Sequence, residues 1–270
     1  MTSKFLRHIA CEHCGSKDAN SLYDDGHTHC FSCGVTEHEN AYDERTVMRD
    51  AVASRKATMV DVKGQFKSIP DRGISQATCE KYGVTTDGDN QYYPYTDGDG
   101  VRTAVKQRNV PTKAFSITGD FKGATLFGQS LFHSGGKAVT ITEGELDALA
   151  AFQMQGSLYP TVSIRNGAQA ALKDCKAQYE WLNSFDSVVI CFDADEPGKK
   201  AAKEVAELFG NKAKIVQHKS GFKDACDYLI AGATKDFVNE WWRAAPYTPD
   251  GIINGKDLWE ELRKPKQLPD

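Results

Sequence analysis

Two Cys-x2-Cys pairs, Cys11/Cys14 and Cys30/Cys33, are separated by fifteen residues within the first 45 positions of the chain. The segment that carries them is too short and too polar to close an apolar core, so its folding needs another source of stability. Each Cys-x-x-Cys turn supplies two corners of a tetrahedron, and two such turns at this spacing predict a small β zinc ribbon with Cys11, Cys14, Cys30 and Cys33 as structural ligands. A redox or disulfide role is the competing reading, and matched pairs in one small segment argue against it. Cys79, Cys175, Cys191 and Cys226 are solitary and read as small buried hydrophobes.

His27 and His29 lie between the pairs and compete as ligands only if a cysteine is dispensed with. Four cysteines already close a structural site, which leaves the histidines for the ribbon surface. The hairpin from Leu22 to His29, turning at Asp25-Gly26, then offers Asp25, His27 and His29 as hydrogen-bonding groups. Tyr23 and Phe31 offer stacking faces for unstacked bases. Plain turn chemistry and solvated surface are the alternative reading of the same residues.

The rest of the 270 residues, with 40% hydrophobic and 26% charged composition overall, is enough for one large or two modest cores. No apolar run approaches the roughly 20 residues that span a bilayer, and the N-terminus lacks the apolar stretch of a secretion signal, so the expected location is the cytoplasm. A formal net charge of -4 argues against a protein that clamps nucleic acid by bulk charge. Any such contact must be local.

The pattern divides the chain into a zinc-binding domain (1–45), a linker (46–64), a first subdomain (65–135), a second subdomain (136–246) and a C-terminal connector (247–270). In the first subdomain a short helix is predicted to open at Ser75. Tyr92-Tyr-Pro-Tyr and Val101 to Arg108 read as strands joined by the turn Asp97-Gly-Asp-Gly. In the second, strands at Ala138-Val-Thr-Ile, Thr161-Val-Ser-Ile, Val188-Val-Ile-Cys-Phe and Lys214-Ile-Val alternate with helices at 145–154, 168–181 and 199–209. That alternation predicts an α/β fold with a mainly parallel central sheet. In the tail, Leu258, Trp259 and Leu262 fall on one helical face, suited either to docking elsewhere or to packing on their own domain.

Acidic residues cluster where predicted strands end. Glu143, Glu145 and Asp147 follow the first strand, Asp193 and Asp195 the third, and Asp224 the fourth. In open α/β sheets ligands bind at the carboxyl edge of the strands, so these carboxylates are expected to converge into a hard-oxygen Mg²⁺ site. Thr142-x-x-Glu145 also reads as a helix capping box, a structural role for Glu145. Capping does not account for Asp193-x-Asp195 directly after five apolar residues. From Val101 to Lys113 the chain carries Arg102, Lys106, Arg108 and Lys113 and no acid, a strip suited to phosphate contacts or simply to a solvated strand face.

The order strand-Glu-Gly-Glu-x-Asp-helix and then strand-Asp-x-Asp-helix resembles the TOPRIM domain of bacterial-type primases, topoisomerases and some nucleases. Cys11-Glu-His-Cys, Asp25-Gly-His-Thr, Leu126-Phe-Gly-Gln-Ser-Leu-Phe, Thr142-Glu-Gly-Glu-Leu-Asp, Phe192-Asp-Ala-Asp-Glu-Pro-Gly and Phe222-Lys-Asp-Ala follow in the same order as in another group. They resemble the primase half of the bifunctional primase-helicases of short-tailed phages. The resemblance implies a zinc ribbon followed by a TOPRIM-containing RNA polymerase domain that makes short RNA primers on single-stranded DNA in an infected bacterial host. It implies Glu143 as the acid/base group, Asp193 and Asp195 as holders of one or two Mg²⁺ ions (or Mn²⁺), and Glu145, Asp147 and Asp224 as further support for the metals. Lys106, Arg108 and Lys113 would hold ribonucleoside triphosphates, and Asp25, His27 and His29 would read the template.

No Gly-x4-Gly-Lys-Ser/Thr occurs, so these residues carry no P-loop, and the implied helicase partner would follow the tail in a longer chain. A monomer is the corresponding expectation, with a DNA polymerase as recipient of the primers. The competing functions are a TOPRIM nuclease, which would not need ribonucleotides, and a non-catalytic zinc-ribbon module for single-stranded DNA.

Overall fold

A computed structural model of the chain describes residues 3–38, 59–248 and the single positions 259 and 263. Two compact units divide between Thr58 and Met59. Most of the expected linker and of the amphipathic tail lies outside the described residues.

In the first unit, β1 (Phe5–Ile9), β2 (Asn20–Tyr23), β3 (His27–Cys30) and β4 (Thr36–His38) form one antiparallel sheet in chain order. Among its described residues only Cys11, Leu22 and Cys30 are buried hydrophobics. Three such side chains cannot offset the entropy of ordering the segment, which is why the cysteines must do more than pack.

The second unit begins with an antiparallel meander of β5 (Thr85–Asp87), β6 (Asn90–Thr96), β7 (Arg102–Asn109) and β8 (Phe115–Gly119). The β6–β7 turn closes because Asp97 Oδ1 accepts the Asp99 and Val101 amides at 3.0 and 2.9 Å. Helix α1 (Gln76–Tyr82) opens where expected, with Ser75 Oγ accepting the Thr78 amide at 3.2 Å. Residues 59–64, read from sequence as the end of the linker, are tied to this sheet. Val60 donates its amide to Arg102 at 3.2 Å, and the adjoining Gln65 bridges to Thr86.

Behind it lies a five-stranded sheet in the order β10-β9-β11-β12-β13. Strands β9 (Val139–Thr142), β10 (Thr161–Ser163), β11 (Val188–Cys191) and β12 (Ala213–Ile215) are parallel, and β13 (Ala245–Pro246) is antiparallel at the edge. Every residue of β9, β10 and β11 is buried, as a sheet covered on both faces requires. The period-2 alternation sorts β11 between two cores. Val188 and Ile190 join the core that holds Val205 and Phe209 of α5 (Glu196–Phe209), and Val189 and Cys191 join the one that holds Leu149 and Phe152 of α2 (Glu145–Met154).

The helix expected across 168–181 is broken into a 3₁₀ turn (Ala168–Ala170), α3 (Ala171–Ala177) and α4 (Tyr179–Asn183). Tertiary contacts override its local pattern. Buried Asp174 is drawn to Arg165 at 2.7 Å, and Gln178, at the break, accepts the Gln129 side-chain amide at 2.8 Å. Helices α6 (Ala225–Ile230) and α7 (Thr234–Arg243) complete the unit and pack against α2.

Candidate active site and zinc centre

The four cysteine sulfurs of the first unit lie within 4.8 Å of one another. Cys11 Sγ to Cys33 Sγ and Cys14 Sγ to Cys30 Sγ are both 3.7 Å. Four sulfurs placed ~2.3 Å from a common tetrahedral centre stand ~3.8 Å apart, so the arrangement fits a zinc ion. The two turns are built alike. Gly15 and Gly34 follow the second cysteine of each pair at φ 70° and 73° and donate to Cys11 O and Cys30 O at 3.0 and 2.8 Å. The Ser16 backbone N–H holds the Cys14 thiol below its ordinary range, while Cys33, despite the Val35 backbone N–H, is pushed the other way, to about 12, by desolvation and the three neighbouring sulfurs.

The sheet presents the expected surface residues beside this centre. His27 stacks on Tyr23 at 4.2 Å with ring planes 4° apart, and its Nδ1 meets Asp25 Oδ1 at 2.5 Å. That contact lowers the Asp25 carboxyl from its usual value. His29 Nδ1 meets Thr36 Oγ1 at 2.7 Å and the ring of exposed Phe31 at 4.8 Å. The histidines are thus held by side chains of the ribbon and are no part of the sulfur cluster.

In the second unit, register brings the acids together. Cys191 of β11 pairs with Thr142 of β9, so the residues that follow, Phe192-Asp193 and Glu143, leave adjacent strands at the same level. Lys223 and Asp224 come from the loop after β12, the next strand over, and the Ala194 amide donates to Lys223 O at 2.8 Å. From the β10 side the Ala168 amide donates to Glu143 Oε1 at 3.2 Å. Burial, with the charges of Asp193 and Asp195 added to it, raises the Glu143 carboxyl, and its Oε2 is buried without a hydrogen-bond partner among the described residues.

Asp147, one turn into α2, lies with Asp224 and Cys226 in a cluster whose ligand atoms fall within 4.8 Å. Burial and then the Asp224 charge push Asp147 up to about 7, although it accepts the Cys226 amide at 3.0 Å. Asp224 is raised chiefly by burial. Asp195 is lowered instead, first by the Gly198 amide at 3.0 Å and also by Lys223. Two of these acids are helix caps as well: Asp195 caps α5, and Asp224 caps α6 by accepting the Asp227 amide at 2.9 Å. Gly198 is obligatory in the tight turn after Asp195, because a Cβ there would collide with the Asp193 carbonyl.

The capping box read at Thr142-x-x-Glu145 does not form. The Thr142 hydroxyl donates to Gly144 O at 3.0 Å, and the α2 N-cap, Gly144, has no side-chain cap. Glu145 instead turns inward, where its Oε1 accepts the Tyr95 hydroxyl at 2.5 Å and Lys106 Nζ at 2.6 Å. Lys106 also donates to Arg165 O at 3.1 Å. Of the expected phosphate-binding cations, Arg108 lines a cleft of about 250 Å³ with Arg72, Tyr93, Phe115, Asp147 and Asp224. Lys113 is exposed on the β7–β8 turn at φ 59°.

Sequence reasoning gave no role to Lys223, although it stands inside a quoted motif. Tyr95, Arg165, Tyr93 and Phe115 were legible only as strand or loop residues, because their partners lie far off in the chain.

A four-sulfur ribbon and a carboxylate centre at the carboxyl edge of a parallel sheet define the class of zinc-ribbon TOPRIM primases. Residues 6–40 match the family described as zinc-binding domain of primase-helicase, and residues 140–229 match the Toprim-like family. The DNA helicase/primase of Enterobacteria phage T3 is 36% identical over 277 residues, covering 97% of this chain and 48% of that protein. The chain thus spans about half the length of that curated relative. The primase fragment of the bacteriophage T7 primase-helicase superposes with a TM-score of 0.67 at 35% identity, covering 88% of this chain and 99% of that one. The zinc-binding and RNA polymerase domains of Aquifex aeolicus primase share the fold at a TM-score of 0.50 and 14% identity, over 91% of this chain and 81% of that one. The chain belongs to the family formed by the primase portion of phage primase-helicases.

Proposed function

We propose that the chain is a nucleotidyltransferase that joins ribonucleoside triphosphates into short RNA primers on single-stranded DNA during phage replication, in the cytoplasm of the infected host. The observation that carries this reading is the run of facing carboxylates at the ends of neighbouring parallel strands: Asp193 acts on both Glu143 and Asp147, Asp195 on Glu143, and Asp224 on Asp147.

These are hard oxygen donors, and burial first, with neighbouring carboxylate charge added to it, raises Glu143, Asp147 and Asp224. That donor chemistry fits Mg²⁺. Asp193 and Asp195 with Glu143 would hold one ion, and Asp147 and Asp224 the surroundings of a second. Bound there, the metal supplies charge neutralisation at the attacking oxygen and the pyrophosphate leaving group. Glu145 supports the centre indirectly, through Lys106 and the position of α2.

Phosphoryl transfer needs positioning and charge compensation more than covalent chemistry. Glu143, steadied by the Ala168 amide, is the group that takes the proton of the 3′-hydroxyl. Arg108 faces the triphosphate from the cleft wall, and Lys113 meets it from the β7–β8 turn. Lys106 contributes the remainder of its field past Glu145. In the zinc-loaded ribbon, Asp25, His27 and His29 read template bases and Tyr23 and Phe31 stack on them.

The working divisions are a ribbon over 1–45, a linker that gives way at Met59 to the RNA polymerase unit, subdomains meeting at about 135, and a connector 247–270 toward a helicase. One chain of a structure described as bacteriophage T7 lagging-strand DNA polymerase interacting with primase domains bound to an RNA/DNA hybrid and dTTP is similar to this one, at 35% identity and a TM-score of 0.62 over 68% of this chain and 94% of that one. A polymerase that accepts the primers and a helicase are the corresponding partners here. The deciding assay combines the protein, Mg²⁺, labelled ribonucleotides and varied single-stranded templates. Short oligoribonucleotides are expected; DNA cleavage without them would favour a nuclease.

A further inference from the structure

Lys223 is the basic residue closest to the paired aspartates. Its Nζ lies 3.0 Å from Asp193 Oδ2 and 3.3 Å from Asp195 Oδ2. Its backbone is fixed on both sides: Lys223 N donates to Asp227 Oδ2 at 2.8 Å, and Lys223 O accepts the Ala194 amide, from between the two aspartates, at 2.8 Å. The stem therefore starts from an anchored point at the rim of the centre, while the side chain is 54% exposed and free to leave. Asp195 commits Oδ1 to the Gly198 amide, so the oxygen left for any cation is the one Lys223 holds.

An ammonium and a divalent ion cannot both sit against one pair of carboxylate oxygens without strong like-charge repulsion. We propose that Lys223 is the resident counter-cation of Asp193 and Asp195, exchanged for the divalent ion as the centre loads, so that metal affinity is set by competition with this side chain. The inference rests on the metal reading given above and adds to it a residue that tunes loading. Lys223 donates nothing to the reaction in this scheme: it keeps the two carboxylates neutralised and apart from each other's charge until the stronger cation arrives. Lys199 is the natural control. It also lowers the Asp195 carboxyl through space, but its ammonium pairs with Glu196 at 3.5 Å, and its contact with Asp195 is the backbone amide on the Asp195 carbonyl at 2.9 Å rather than a hold on the carboxylate.

The test is Mn²⁺ binding to the zinc-loaded protein without nucleotide, followed by electron paramagnetic resonance. Wild type is expected to bind, and Asp193→Asn to lose that binding. If wild type fails to bind, or Asp193→Asn binds equally well, the metal reading itself falls. With that reading intact, Lys223→Met and Lys223→Gln should each bind Mn²⁺ about fivefold more tightly, the scale of releasing a partly exposed ion pair, and Lys199→Gln less than about twofold. Unchanged or weaker binding in both Lys223 variants, or an equal gain in Lys199→Gln, overturns the exchange. Melting curves of the same samples, with zinc content, confirm that each variant is folded.

Discussion

Lys106 Nζ and Glu145 Oε1 stand 2.6 Å apart, with side chains only 15% and 9% exposed, and the same carboxylate oxygen receives the Tyr95 hydroxyl. The pair joins the antiparallel meander to the first turn of α2, so a residue expected to bind phosphate also holds the catalytic unit together. Removing one partner leaves the other charged and enclosed. Lys106→Met should cost about 3 kcal/mol in urea denaturation, and Lys106→Met with Glu145→Leu should recover much of that. No loss in the single variant would mean that the pair is not the buried tie described.

Asp193→Asn should lower primer synthesis at least about a hundredfold, in keeping with the loss of a metal-holding carboxylate, while zinc content stays at one per chain. Counting labelled oligoribonucleotides against zinc measured by atomic absorption separates the two centres. Retained synthesis would remove Asp193 from the chemistry.

Cys30→Ser combined with Cys33→Ser removes two of the four sulfurs and should unfold the ribbon while leaving the second unit folded. Zinc is lost, circular dichroism keeps the helices, and template-directed initiation disappears. If sequence preference survives, the ribbon is not what reads DNA.

Asp147 gives the fold a pH dependence. Burial, then Asp224, hold its carboxyl up to about 7, against about 3.9 in an unfolded chain. Between these values the folded state binds a proton that the unfolded state releases, so the stabilisation is complete at low pH and is lost as pH rises through about 7. In magnesium-free buffer the melting temperature should fall from about pH 5 to about pH 7 and level off above that, and Asp147→Asn should flatten that slope. A slope unchanged in the variant would assign the effect to other groups.

The zinc ribbon and the parallel sheet were readable because their signals are local: a spacing of cysteines, and apolar runs such as Val188 to Phe192 that end in acids. The grouping of the four cysteines and the nearness of Glu143 to the Asp193 and Asp195 loop followed from those signals alone. What escaped depends on contacts distant in sequence. Nothing near Glu145 shows that Lys106 and Tyr95 will claim its carboxylate, and Thr142 satisfied a capping pattern whose hydroxyl the folded chain uses elsewhere. The break at Gln178 likewise requires knowing that Gln129 will arrive beside it.

Asp195 and Asp224 each spend one carboxylate oxygen on closing the first turn of a helix. Asparagine preserves that closure, whereas alanine forfeits about 1 kcal/mol of it at each position. An alanine scan of this centre would therefore blend loss of chemistry with fraying of α5 and α6. The same double duty narrows the drift open to the lineage: an inactive descendant that no longer needs these charges would still tend to keep Asp, Asn, Ser or Thr at both positions.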